Sequence, residues 1–308
     1  MQFRKLAAQA TTLALACAAT VAAAAPTYTT TPYAVPGSTS TQLWGVNDHG
    51  VLVGGDDNGG FIDDHGAITS VNLPASPGYV SGISNGGLAV GSDGTHSFFY
   101  QDGVLTPFDI DGAEDTLLRG ISPNGRYAAG VYILADGTYD GFVWDTATST
   151  LSRIIAPEGA GVSAMQGVND SGIATGSLNG IHGGLLFDAV NGTTTYYPEV
   201  DGLLAPHFRA IDNAGDLGGW AFDADYNAIG FLGTLDGGFS TFKIGDGGTY
   251  IYGMNNLGEA VGYVLDADGL AQSFVVTTSA VPEPSTTASM ALALVVLGAR
   301  LARRRRNA

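Results

Sequence analysis

From about residue 28 to residue 278 the chain alternates short apolar runs, rich in Val, Ile, Leu, Phe and Tyr, with clusters of Gly, Asn, Asp and Ser. That is the pattern of antiparallel strands joined by tight turns. One segment recurs six times: Gly45-Val-Asn-Asp-His-Gly50, Gly82-Ile-Ser-Asn-Gly-Gly87, Gly120-Ile-Ser-Pro-Asn-Gly125, Gly167-Val-Asn-Asp-Ser-Gly172, Ala210-Ile-Asp-Asn-Ala-Gly215 and Gly253-Met-Asn-Asn-Leu-Gly258. The starts lie 37, 38, 47, 43 and 43 residues apart. The Ile or Val ends one strand. The Asn/Asp-rich pair and the Gly then form a turn, because these residues tolerate left-handed backbone angles and bond their own main chain. A return strand follows and ends in another Gly, as in Val51-Leu-Val-Gly54 and Glu259-Ala-Val-Gly262.

Each repeat continues with a third run, which carries Phe in every copy: Phe61-Ile62, Phe98–Tyr100, Phe142–Trp144, Leu185–Phe187, Phe231-Leu232 and Ser273–Val275. A second turn and a fourth run follow in the first five repeats, at Ile68–Leu73, Val104–Phe108, Leu151–Ile155, Thr193–Tyr197 and Phe239–Lys243. Four antiparallel strands in roughly 40 residues make one propeller blade. The sixth repeat reaches Pro282 before a fourth strand, and Tyr28–Val35 offers a spare one at the other end of the chain. The expected fold is therefore all-β: a six-bladed β-propeller of four-stranded antiparallel blades, closed by an N-terminal strand. A β-solenoid would also account for the period, but not for the spare strand. Closure removes free sheet edges.

The ends have a different character. Residues 1–25 combine Arg4 and Lys5, an apolar Ala/Leu/Val stretch and a small-residue end at Ala22–Ala25, the layout of a secretory signal peptide removed by signal peptidase. An N-terminal membrane helix fits less well, because the apolar run is short. Cys17 is the only cysteine and lies inside that segment, so the mature domain has no disulfide. Ala14-Leu15-Ala16 before it makes a poor lipobox. Residues 26–280 form the repeat domain and residues 281–308 a tail. There Val281-Pro-Glu-Pro-Ser285 precedes an apolar stretch, Ala288–Ala299, and then Arg300 and Arg303–Arg306. The apolar stretch is expected to form a single transmembrane helix, from about Thr286 to Ala302, with the arginines held on the cytoplasmic side.

Charge narrows the partners. Between residues 26 and 280 only Arg119, Arg126, Arg153, Arg209 and Lys243 face 28 Asp and Glu, an excess of 23 negative charges. Such a surface repels nucleic acid and anionic lipid. The frequent β-branched and aromatic residues argue against disorder.

Two resemblances follow from these motifs. The segment His96-Ser-Phe-Phe-Tyr-Gln-Asp-Gly103, with Gln272-Ser-Phe274 as a second copy, resembles the His-Ala-Phe signature of extracellular HAF-repeat proteins, across about residues 28–278. That likeness implies an extracellular propeller-type repeat protein and supplies no reaction. The tail resembles a PEP-CTERM sorting signal, with Pro282, Glu283 and Pro284 as the sorting motif and Arg303, Arg304, Arg305 and Arg306 as the membrane stop. It implies recognition by an exosortase, an inner-membrane cysteine peptidase of exopolysaccharide-producing Gram-negative bacteria. A plain membrane anchor or an amphipathic surface helix is the other reading of the same residues.

Candidate chemistry is sparse. His49, His65, His96, His182 and His207 show no metal-pair spacing, and no nucleophile elbow or phosphate loop is present. Trp44 and Trp144 are expected in strands and Trp220 near a loop, which makes Trp220 the best candidate for stacking on sugar. Two loop groups have alternating oxygen ligands suited to weak Ca2+ binding: Asp223-Ala-Asp225-Tyr-Asn227 and Asp266-Ala-Asp268. They belong to a set of acidic loop residues expected on one face of the ring, with Asp56, Asp57, Asp93, Asp109, Asp111, Glu114, Asp115 and Asp136. The expected function is an exported cell-surface or matrix module for binding or structure, associated with acidic exopolysaccharide. The alternative is a secreted glycosidase or lyase on the same scaffold, which would need two carboxylates at a defined separation.

Overall fold

A computed structural model describes residues 27–279, apart from 73–77, 94–95, 155–160, 180–182, 201 and 267. The expected signal peptide, the sorting motif Pro282, Glu283 and Pro284, the expected membrane helix and Arg303–Arg306 all lie outside the described residues. Among the described residues there is no helix, and none long and apolar enough to cross a membrane. Tyr28–Thr278 is one compact unit.

The first strand, β1 (Thr27–Tyr33), belongs to the last blade. Blade one is β2 (Thr41–Val46), β3 (Leu52–Asp56), β4 (Gly59–Asp64) and β5 (Ala67–Val71). Blade two is β6 (Tyr79–Ile83), β7 (Ala89–Ser92), β8 (Ser97–Gln101) and β9 (Val104–Phe108). Blade three is β10 (Asp115–Ile121), β11 (Tyr127–Ile133), β12 (Tyr139–Asp145) and β13 (Thr150–Ile154). Blade four is β14 (Gly161–Val168), β15 (Ile173–Asn179), β16 (Gly184–Asp188) and β17 (Thr193–Tyr197). Blade five is β19 (Leu203–Ile211), β20 (Leu217–Phe222), β21 (Ala228–Thr234) and β22 (Gly238–Phe242). It gains a fifth strand, β18 (Glu199–Val200), which hairpins onto the start of β19 through Gly202 in the left-handed region. Blade six is β23 (Thr249–Met254), β24 (Ala260–Leu265) and β25 (Ala271–Ser279), with β1 as its outer strand beside β25. The ring therefore closes as the strand arithmetic requires.

The repeated residues have repeated tasks. The Gly that ends each return strand pairs across the ladder with the large apolar residue of the third strand: Gly54 with Phe61, Gly91 with Phe98, Gly130 with Phe142, Gly176 with Leu185, Gly219 with Phe231 and Gly262 with Phe274. At Gly54, Gly91, Gly130 and Gly219 the Phe ring occupies the space a Cβ would need. The residue before that Phe is small because the next blade's inner strand passes beside it. Ser97 Oγ donates to Thr116 O and accepts from Leu118 N, and Ser273 Oγ does the same to Thr41 O and Leu43 N across the ring closure. The small residue of the His-Ala-Phe-like segment thus sits at a blade junction.

Apolar burial is organised by junction rather than by blade. Six clusters each join consecutive blades, such as Val53 and Val71 with Val80, Ile83, Ala89 and Phe98, or Val261 with Leu43, Val46 and Phe61. Tyr28 and Tyr33 of β1 pack into the two clusters that flank blade six. Each inner face is hydrophobic because a blade must cover its neighbour on both sides.

Candidate functional site

The inner strands β2, β6, β10, β14, β19 and β23 surround a central channel. Each carries a bulge in the same place, between Leu43 and Gly45, Val80 and Gly82, Leu118 and Gly120, Met165 and Val168, Phe208 and Ala210, and Ile251 and Gly253. A bulge leaves its extra residue out of the ladder and re-aims the side chain. Here those residues are Trp44, Ser81, Arg119, Gln166, Arg209 and Tyr252, and all six line the channel. The motif's first position is Gly or Ala because neighbouring inner strands touch there: a Cβ on Gly45 would meet Gly82, on Gly82 would meet Gly120, and on Gly253 would meet Gly45.

The turn residues of the motif form the rim. Asn47, Asn169, Asp212 and Asn255 each accept their own turn's amides through Oδ1, as at Asn47 from His49 and Val51. The next position links blades, except that in blade three Pro123 only accepts and Asn124, one residue on, is the donor. Asp48 N donates to Asn85 Oδ1, Asn85 N to Pro123 O, Asn124 N to Asp170 Oδ1, Asp170 N to Asn213 Oδ1, Asn213 N to Asn256 Oδ1 and Asn256 N to Asp48 Oδ1. One bond crosses every junction, in one rotational sense, and the circle is closed. Asp48 also accepts the amides of Asn85 and Asn256 at 2.7 and 2.8 Å through Oδ2. Partial burial pushes its pKa up, but these hydrogen bonds outweigh it and hold the carboxyl below the usual range.

Below the rim the channel wall is aromatic and cationic. Trp44 stacks on Tyr79 at 4.8 Å and leans on Tyr252 at 4.5 Å, and the Tyr252 hydroxyl meets that of Tyr263 at 3.1 Å. Arg119 lies over Tyr79 and Trp44, with its guanidinium carbon 5.4 and 5.9 Å from the ring centroids. Arg209 lies over Tyr252 and Trp220 at 5.3 and 5.9 Å. Burial pushes the Arg209 pKa down, and the charge of Arg119 adds to that push.

Sequence reasoning placed Trp220 near a loop. It lies instead in β20, face to face with His207 at 3.8 Å, and its indole Nε1 is buried. The reason is that Gly219 is a packing glycine within the strand, opposite Phe231, and not a turn residue. Trp144 lies in β12 against Phe108. His49, His65 and His96 are exposed at turns and strand ends, and His96 Nδ1 is 3.3 Å from Asp109.

The two calcium candidates lie in different blades. Asp223 Oδ1 accepts the amides of Asp225 and Asn227, and Asp266 Oδ1 those of Asp268 and Leu270, while Asn227 Nδ2 donates to both Asp223 oxygens. Among the described residues no group of three or more His, Cys, Asp or Glu converges. The residues that sequence reasoning missed are Arg119 and Arg209. The available signal was position: two of the five cations of residues 26–280 directly precede the first residue of a motif copy.

Comparison with known proteins agrees at the tail. A PEP-CTERM protein-sorting motif matches residues 280–306. No curated protein matches the chain. Among solved structures, a TolB protein of Agrobacterium tumefaciens is 12% identical, with a TM-score of 0.47, over 64% of this chain and 88% of that one. TolB from Acinetobacter baumannii is 11% identical at a TM-score of 0.41, over 78% and 63%. A fucose-containing complex of the Aleuria aurantia lectin is 11% identical at 0.38, over 71% and 78%. At these values none of the three bears on what this chain does.

Proposed function

We infer from the PEP-CTERM sorting motif at residues 280–306 that this six-bladed propeller is exported to the cell surface by an exosortase-dependent route. From that premise we propose that the protein is a surface or extracellular-matrix module that binds saccharide of the surrounding exopolysaccharide at the channel mouth. Signal peptidase and exosortase remove its two ends, so that it is held at the inner membrane only in transit. The observation that carries the reading is the convergence of Trp44, Gln166 and Tyr252, from three blades, on one opening. An apolar aromatic lining beside an amide and a hydroxyl supplies the mixed contacts that a sugar takes at an opening.

The test is binding of the full chain, in mild non-ionic detergent, to a panel of immobilised polysaccharides. Binding is expected, with loss on Trp44→Ala and retention on Trp144→Ala, which lies away from the channel. Failure of the wild-type chain to bind any polysaccharide, or binding untouched by Trp44→Ala, would refute the proposal. Intact-mass analysis of native surface material tests the processing. Full-length chain retaining Arg303–Arg306 at the surface would rule it out.

A further inference from the structure

The channel holds two guanidinium groups that have no anionic partner among the described residues. Among the described residues the ion pairs are His65–Asp64, His96–Asp109 and Arg126–Asp145, so neither Arg119 nor Arg209 is paired in a domain with 28 acids. Among the described residues Nε of both arginines and Nε1 of Trp44 are buried without a hydrogen-bond partner. The carboxylates on the same lining are committed at the rim. Asp48 bonds Asn85 and Asn256, and Asp212 folds Oδ1 back onto the amides of Ala214 and Asp216. Ring faces satisfy the guanidinium faces, but a cation over a ring still has its in-plane N–H donors to place. An unpaired buried charge is costly, and an anion taken from solution relieves that cost.

We propose that the channel is a carboxylate-binding site, with Arg119 and Arg209 as the ligating pair and Trp44 as a third donor. The inference rests on the channel mouth being a binding surface and names the chemistry it takes: the acid group of a uronic-acid residue. Size decides how much of the ligand enters. The cavity is about 60 Å³, against the roughly 300–1,000 Å³ of a pocket that swallows a small molecule. A carboxylate head fits, with the sugar ring left outside, at the rim formed by the motif turns. The planar carboxylate suits the guanidinium fork, which donates in its own plane. The channel thus selects acid sugar ends in a protein whose outer surface repels acidic polymers. Binding is then confined to the mouth.

The experiment titrates the full chain, in mild non-ionic detergent, with glucuronate, glucose, acetate and sulfate, reading heat and tryptophan fluorescence. Glucuronate is expected to bind and to perturb the fluorescence, acetate to bind more weakly, and glucose to do neither. Arg119→Gln and Arg209→Gln should each weaken glucuronate at least about tenfold, the loss of a charge-assisted hydrogen bond. Arg126→Gln, at an exposed pair, should leave it unchanged. The wild-type titration stands whether or not the channel variants fold. Equal responses to glucose and glucuronate would overturn the carboxylate site and leave saccharide binding intact. Tighter binding of sulfate than of glucuronate would overturn it in favour of a general anion site. No response to any of the four would overturn it outright.

Discussion

Asp48, in the turn between β2 and β3, and Asp223, in the turn between β20 and β21, begin as the same kind of residue. Each is an acid in a short polar turn between antiparallel strands. Asp48 takes bonds from Asn85 of blade two and Asn256 of blade six. Asp223 takes bonds only from Asp225 and Asn227 of its own turn. The difference follows from radius. First-to-second turns stand near the axis, where six copies come within hydrogen-bond reach of each other. Second-to-third turns stand further out, where neighbouring blades have diverged. Near the axis an Asx turn also becomes a clasp between blades. Further out it remains a turn, with Asp57 as a partial exception, since it holds Thr39 in the connection between β1 and β2.

The largest expected effect tests whether clasps or strand pairing close the ring. Deleting residues 26–36 removes β1 and, with it, Tyr28, Tyr33 and Val35 from the junction clusters. At about 2 kcal/mol per buried large apolar side chain, the melting temperature should fall by roughly 10 °C or more and the exposed edge should promote association. An unchanged melting temperature with a monomeric chain would show that the rim clasp suffices.

Next comes the clasp itself. Asp48→Ala leaves an amide N–H of Asn256 and two side-chain amides without an acceptor, and is expected to cost about 2 kcal/mol after allowance for partial exposure, or roughly 6 °C. A loss under a degree by calorimetry would mean that water replaces the clasp without cost.

Acid should expose the same asymmetry. The Asp48 pKa is lowered in the fold from 3.8, so its contribution is present above that value and disappears as pH falls through the folded pKa. Asp216 runs the other way: burial and the nearby Asp212 raise its pKa, so protonation relieves it. Melting curves between pH 6 and pH 3 should therefore fall less steeply for Asp48→Asn than for the wild-type chain. Parallel curves would assign acid sensitivity elsewhere.

The smallest effects belong to the outer turns. Asp223→Ala should change the melting temperature by less than about 2 °C, since surface substitutions away from networks are nearly neutral. Calcium loading there would have to draw Asp223 and Asp266 away from their own amides. At a concentration equal to its dissociation constant the ion adds only about 0.4 kcal/mol, near 1 °C. A rise of several degrees over a sodium control of equal ionic strength would show that these turns bind the metal far more tightly.

Strands, turns, the six-fold period and the spare N-terminal strand were all legible in the chain, because each depends on neighbours in sequence. Val104–Phe108 and Thr193–Tyr197 coincide with β9 and β17 to the residue, since a run flanked by turn residues has little freedom to shift. The extra hairpin of β18 was not legible, because two residues carry no period. The channel was not legible either. A bulge changes which way Arg119 and Arg209 point without changing what precedes or follows them, and its location is imposed by six inner strands meeting at their Gly or Ala positions. The turn chemistry of Asn47–Asp48 is local, and the sequence alone specifies it. Its bonds to Asn85 and Asn256 exist only once residues 37 and 208 positions away have been carried round the ring to meet it.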